Sequence, residues 1–167
     1  VGSIFYNQEL NKKFSHLQKD KIVIDIPIGA SFDRITSILL ESGILRSSFF
    51  FATVSYVNKV TDKMQAGEYE FNAESNIRSL VSDLSRGNVR TLTVTLIEGW
   101  TFEEALSTIR SSEGVIKSNV SVSVRDLGIG INEHLTSKEG MLFPDTYQYT
   151  KGTFDYEIVS RANARLK

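Results

Sequence analysis

Two stretches of this chain follow one grammar: "IVIDIPIGASFDRITSILLESGIL" (residues 22–45) and "LTVTLIEGWTFEEALSTIRSSEGVI" (residues 92–116). Each opens on alternating apolar residues, passes a Gly, reaches a Ser or Thr, and continues with helical spacing. In the first, Ile24 and Ile26 alternate as a half-buried strand requires, and Gly29 marks a turn. Ser31 is then an N-cap for a helix whose apolar face is Ile35, Ile38 and Leu39. In the second, Val94 and Leu96 alternate and Gly99 turns the chain. Thr101 and Glu104 have the spacing of a capping box, and Phe102, Ala105, Leu106 and Ile109 form one stripe. An ancient duplication and ordinary α+β packing explain this echo equally well.

The rest of the chain fits around these units. Ile77, Leu80, Val81 and Leu84 predict another helix, stopped by Gly87. "SSFFFATVSYVNKV" reads as a buried helix and "AGEYEF" as a short strand, so residues 21–72 form a β-α-α-β unit. Beyond the second echo we expect a helix over residues 116–127, a loop rich in Gly and Asn, and a last helix from about Phe154. The expected fold class is α+β with two subdomains. Residues 1–20 are read as a linker, 21–89 as the first subdomain with its connecting helix, and 90–167 as the start of a second domain.

Composition excludes several function classes. Nineteen basic residues against twenty acidic ones give a net charge of −1, without the basic surplus of a nucleic-acid binder. The sequence contains no Cys, which removes disulfides, thiol catalysis and thiolate metal sites together. No run approaches the ~18 apolar residues of a membrane span. The beginning lacks an initiator Met, and the end lacks a helix stop signal, so the chain reads as a piece of a longer protein. His16 and His134 lie in polar surroundings without metal-ligand spacing and are read as surface residues. "GIGIN" lacks the third Gly of a dinucleotide fingerprint. No metal site and no cofactor are expected.

One segment asks for more than a turn: "KEGMLFPDTYQY", residues 138–149. Gly140 permits unusual backbone geometry, and Pro144 fixes φ and stiffens the residues C-terminal to it. Met141, Leu142 and Phe143 supply an apolar wall beside Glu139. Such a wall disfavours the carboxylate anion and pushes the Glu139 pKa up, as a general acid requires. The residues alone also allow a plain turn acid, paired with Lys138 or capping an N–H.

"EGMLFPDTYQY", preceded by "VTLIEGWTFEEALSTI", resembles the YceG-like or MltG family of bacterial endolytic murein transglycosylases. The resemblance covers nearly the whole chain. It implies a LysM-like β-α-α-β subdomain followed by a truncated α+β catalytic domain, and it places the family's catalytic glutamate on Glu139. The chain departs from the family at Ile97, where Pro usually precedes Glu-Gly-Trp-Thr. The family's N-terminal membrane anchor and the remainder of its catalytic domain are also missing.

The implied reaction cleaves the β-1,4 bond between N-acetylmuramic acid and N-acetylglucosamine, leaving a 1,6-anhydro end. The partners this implies are peptidoglycan strands and cell-wall synthases, with no nucleic acid and membrane contact only through the missing anchor. The implied location is the bacterial plasma membrane, with the domain facing the periplasm or cell wall. Tyr147 and Tyr149 are candidates for stacking on sugars or bonding hydroxyls, with core packing as the other reading. Asp145 and Thr146 are candidates for orienting the loop, and Glu98 and Trp100 for bordering a cleft. Two other functions stay open: a non-catalytic peptidoglycan-binding module, and an aminodeoxychorismate lyase, a label the family has carried. The lyase needs a Schiff-base lysine and a phosphate cradle, and neither motif occurs here.

Overall fold

The structure is a computed structural model that describes residues 2–17, 21–118 and 142–166. The molecule is α+β and divides into two units, Val1–Arg90 and Thr91–Lys167. Among the described residues there are six helices and two antiparallel sheets of two strands each.

The first unit runs α1 (Gly2–Asn11), β1 (Ile22–Ile26), α2 (Phe32–Glu41), α3 (Phe49–Val57), β2 (Gly67–Phe71) and α4 (Ile77–Arg86). β1 and β2 pair antiparallel, with Ile24 opposite Tyr69 and Ile26 opposite Gly67. Period-2 alternation turns Ile24, Ile26, Tyr69 and Phe71 inward. They meet Ile35 and Leu39 of α2, Phe51 and Val54 of α3, and Leu80, Val81 and Leu84 of α4 in one core. Ser55 is buried in α3 and meets its hydrogen-bonding need locally, donating to the Phe51 carbonyl at 2.8 Å. Asn76 and Ser79 cap α4 reciprocally, and Gly87 ends it at φ 70°.

The stretch expected to be a linker instead carries α1. Leu10, Phe14 and Leu17 are buried in the core of this unit. Arg78 of α4 donates to Asn11 Oδ1 at 3.2 Å and Asn7 Oδ1 at 3.1 Å, and the Phe14 N–H bonds the Ser75 carbonyl at 2.8 Å. Those three apolar side chains bury too much surface to belong to a solvated connector. His16, expected on the surface, is half-buried and its Nε2 lies 3.0 Å from the Gly43 carbonyl.

The second unit runs β3 (Thr91–Thr95), α5 (Phe102–Ser111), β4 (Thr146–Thr150) and α6 (Asp155–Ala164). β3 and β4 pair antiparallel, with Leu92 opposite Tyr149 and Val94 opposite Tyr147. Their inner faces pack on Phe102, Ala105 and Ile109 of α5 and on Ile158, Val159 and Ala162 of α6. Thr101 and Glu104 form the expected capping box, with Glu104 N–H to Thr101 Oγ1 at 3.2 Å and Thr101 N–H to Glu104 Oε2 at 2.8 Å.

The helix expected from Ile116 does not begin there. Gly114 at φ 74° turns the chain out of α5, and Ile116 forms a parallel bridge with Phe154. Its N–H donates to the Thr153 carbonyl at 2.9 Å and its carbonyl accepts from Asp155 N–H at 3.0 Å. Residues 119–127 of that expected helix, and the Gly- and Asn-rich loop with His134, lie outside the described residues.

Candidate functional site

Glu139 lies outside the described residues, as do Gly140 and Met141. The surroundings of the site can be built from its two flanks. One is the turn after β3, "IEGWT", in which Gly99 adopts φ 86° and the Trp100 N–H bonds the Ile97 carbonyl at 3.4 Å. Glu98 is exposed on this turn, and Trp100 is half-buried against the core of the second unit. The other flank begins at Leu142, two residues past Gly140. Leu142 packs on the same core and lines a crevice of about 10 Å³ with Leu96, Ile97, Trp100 and Phe102. The ends of the two motifs therefore meet. A space of that size holds at most one water molecule, so the crevice is a packing seam and no sugar enters it.

Beyond Leu142 the chain is fixed to α6. The Phe143 N–H donates to the Ala162 carbonyl at 3.0 Å, satisfying one of the unpaired carbonyls in the last turn of that helix. The Phe143 ring is 40% exposed, so of the two described residues of the expected apolar wall Leu142 turns inward and Phe143 does not. Asp145 bonds within its own turn: its Oδ1 accepts the Thr146 N–H at 2.7 Å. Its other oxygen pairs with Arg165, whose guanidinium carbon lies 5.6 Å from the centre of the Tyr147 ring. The Thr146 hydroxyl lies 2.9 Å from that of Thr95, its partner across the sheet.

Tyr147 and Tyr149 pack in the core, the other reading of these two residues. Each is only 5% exposed, and both rings belong to the core of the second unit. The Tyr147 hydroxyl donates to the Phe143 carbonyl at 2.7 Å and the Tyr149 hydroxyl to the Glu113 carbonyl at 2.8 Å. Burial pushes the Tyr147 phenol up, which keeps the donating proton in place. The cause is the strand itself: in Thr146–Thr150 the odd positions face inward, so the aromatic residues become core and Thr146, Gln148 and Thr150 are exposed.

The structure adds a charged centre that the sequence pattern does not reveal. Asp155 is fully buried at the first position of α6. It accepts from Arg110 Nε at 2.6 Å, Ser118 N–H at 3.2 Å and Tyr156 N–H at 2.8 Å. Burial alone would push its pKa up, but the donors supplied by Ser118, Arg110 and Tyr156 outweigh burial and hold it below the ordinary value. Asp155 thus ties α5 and the chain at residue 118 to the start of α6. The available signal is an acid in a first helical turn, which a helix dipole explains without burial. Among the described residues no cluster of three or more His, Asp or Glu side chains can hold a metal ion. No described helix is long and apolar enough to cross a membrane.

No curated protein matches the chain. Among solved structures it is similar to the yceG-like protein lmo1499 from Listeria monocytogenes, with 19% sequence identity and a TM-score of 0.45. The alignment covers 89% of this chain and 54% of that one, so the chain spans about half the length of this relative. The profile of the YceG-like family matches residues 24–167, and the chain belongs to that family.

Proposed function

We propose that the chain is part of an endolytic peptidoglycan lytic transglycosylase, with Glu139 as its single general acid and base. The observation that carries this reading is the meeting of the two motifs. Trp100 of "EGWT" and Leu142 of "EGMLFPDTY" line one seam, and Glu139 is joined to Leu142 through only Gly140 and Met141. The chain leaving that second motif is tied to α6 and to β3, a rigid frame for a catalytic group.

A hydrolase acting on a glycosidic bond ordinarily uses two carboxylates, one as acid and one as nucleophile or base. A lytic transglycosylase manages with one. Glu139 gives its proton to the glycosidic oxygen as the bond from C1 of the muramic acid breaks. The carboxylate then removes the proton from the C6 hydroxyl of the same sugar, and that oxygen bonds C1. The products are a 1,6-anhydro sugar and a new free hydroxyl on the departing strand. No water is consumed, and Glu139 ends protonated as it began. A single acid is sufficient for both steps, which fits the sequence pattern.

The first unit, a β-α-α-β arrangement resembling LysM, is assigned to holding the glycan, and the protein to the outer face of a bacterial plasma membrane beside cell-wall synthases. A second reading draws on the same unit: a module that binds peptidoglycan without cutting it. The test incubates the full-length protein and Glu139→Gln with purified peptidoglycan and weighs the products. Anhydro-ended fragments from wild type alone support cleavage. Sedimentation with the polymer but no such fragments from either protein supports the binding module.

A further inference from the structure

β4 pairs with β3 along one edge, and no described strand covers the other. The Leu96 N–H donates to the Asp145 carbonyl at 2.9 Å, which sets the hydrogen-bond alternation along the pair. Val94 with Tyr147 and Leu92 with Tyr149 are then the bonded pairs, and Thr146, Gln148 and Thr150 turn their peptide groups outward. Several outward groups are already occupied. Thr146 N–H has Asp145, both Thr150 groups have Thr153, and the Gln148 carbonyl accepts from Arg161 Nη1 at 2.6 Å. The Gln148 N–H and the Thr146 carbonyl have no partner among the described residues.

These two groups border an open depression of about 660 Å³, between Asp145 and Gln148 on one side and Arg161 and Arg165 on the other. Asp145 balances Arg165. Arg161 has no acidic partner among the described residues, and its fork is aimed by the single bond to Gln148. A free N–H and C=O on a strand edge bind extended peptide backbone. An oriented, unbalanced guanidinium beside them selects a carboxylate. The sugars of a strand offer neither feature while their lactyl groups are held as amides.

We infer that this edge receives the peptide stem of a peptidoglycan strand, its backbone against Gln148 N–H and Thr146 C=O and a stem carboxylate on Arg161. The inference rests on the reading of the chain as a peptidoglycan enzyme and names which part of the polymer this face recognises.

The test measures binding of the full-length protein to glycan strands bearing stems and to the same strands stripped of stems by an amidase, with the lactyl carboxylates so exposed converted to amides. Wild type binds the stem-bearing strands about tenfold more tightly, the scale of one charge-assisted hydrogen bond. Arg161→Gln removes the charge, and Gln148→Pro removes the outward N–H at a position an edge strand tolerates. Both variants bring the preference close to one, while binding to stripped strands and Tm stay unchanged. Equal binding of the two polymers by wild type, or a preference that both variants keep, overturns the inference. Hydrogen-exchange protection of the Gln148 amide in the unliganded full-length protein also overturns it, since the protein's own chain would then fill the edge. Release of anhydro ends from stripped strands is scored separately, so a failure of the cleavage reading is distinct from a failure of this one.

Discussion

Arg110 Nε stands 2.6 Å from Oδ2 of Asp155, joining the end of α5 to the first residue of α6 through a carboxylate that has no solvent exposure. Arg110 is partly exposed, so its charge keeps some hydration while it neutralises a group that has none. Removing the cation leaves a buried anion whose remaining donors, among the described residues, come from Ser118 and Tyr156. Arg110→Met is expected to cost about 2–3 kcal/mol, the range for a hydrogen bond to a charged group. Urea unfolding at neutral pH measures this cost. A midpoint within error of wild type would show that the pair contributes nothing.

The same carboxylate gives stability a pH dependence of known direction. Its folded pKa lies below the ordinary value, whereas in the unfolded chain it titrates near about 3.9. The unfolded state therefore binds the proton first as pH falls. The contribution of Asp155 is fully present above about pH 4 and declines as pH drops through the folded pKa. Wild type and Asp155→Asn are compared by thermal melting from about pH 6 down to about pH 3. Their Tm values are expected to converge on the acid side, because wild type alone loses this term. Parallel curves would remove Asp155 from the account.

What the sequence reveals and what it hides divides along the range of the interaction. Ser31, Thr101 with Glu104, Gly87 and the stripe Phe102–Ala105–Ile109 act within one or two helical turns, and each is legible. The β-α-α-β order is legible too, since Ile24 and Ile26 alternate on their own account. Contacts between distant segments are not. Arg110 and Asp155 carry no local pattern that pairs them. β4 escapes notice although "TYQYT" alternates strictly, because its partner β3 lies on the far side of α5 in the chain. Without that partner, its aromatic residues read as sugar contacts as readily as core. α1 is hidden because Leu10, Phe14 and Leu17 acquire meaning only against α4 and the β1–β2 sheet. The motif around Glu139 is legible as a resemblance, and Glu139 itself lies outside the described residues.

The capping box at the head of α5 is testable by itself. Thr101 and Glu104 each satisfy the other's N–H, and Thr101 is the last residue of the "EGWT" motif. Thr101→Ala is expected to destabilise the protein by about 1 kcal/mol, read as a shift of the urea midpoint with an unchanged m-value. Thr101→Ser keeps the oxygen and should retain most of the stability. If Ala and Ser variants behave alike, the cap is not what Thr101 supplies.

Gly67 opens β2 at φ 141°, and a side chain there would run into Val89 Cγ1. Both the backbone angle and the space exclude a β-carbon, so Gly67→Ala is expected to cost at least ~1–2 kcal/mol. Gly29 and Gly99 also have positive φ but face open space. Alanine at either should cost less than alanine at Gly67, the loss being conformational alone. Melting the three variants side by side decides the order. A Gly67→Ala protein as stable as the other two would mean that Val89 moves aside without penalty.

Tyr147 separates a core role from a substrate role through a one-atom change. Its ring lies in the core with Ile158, Val159 and Phe102, and its hydroxyl donates to the Phe143 carbonyl, within the motif that holds Glu139. Tyr147→Phe keeps the ring and deletes that bond, leaving a carbonyl without its donor at a cost of about 1 kcal/mol. Tyr147→Ala empties the ring site as well and should cost about 3–5 kcal/mol. A residue that acts only through packing lowers Tm in both variants and leaves the KM for peptidoglycan strands unchanged in the folded Phe variant. A residue that bonds a sugar hydroxyl would raise KM in the Phe variant while Tm held steady. We expect the first pattern, and steady-state turnover alongside melting of Tyr147→Phe in the full-length protein distinguishes the two.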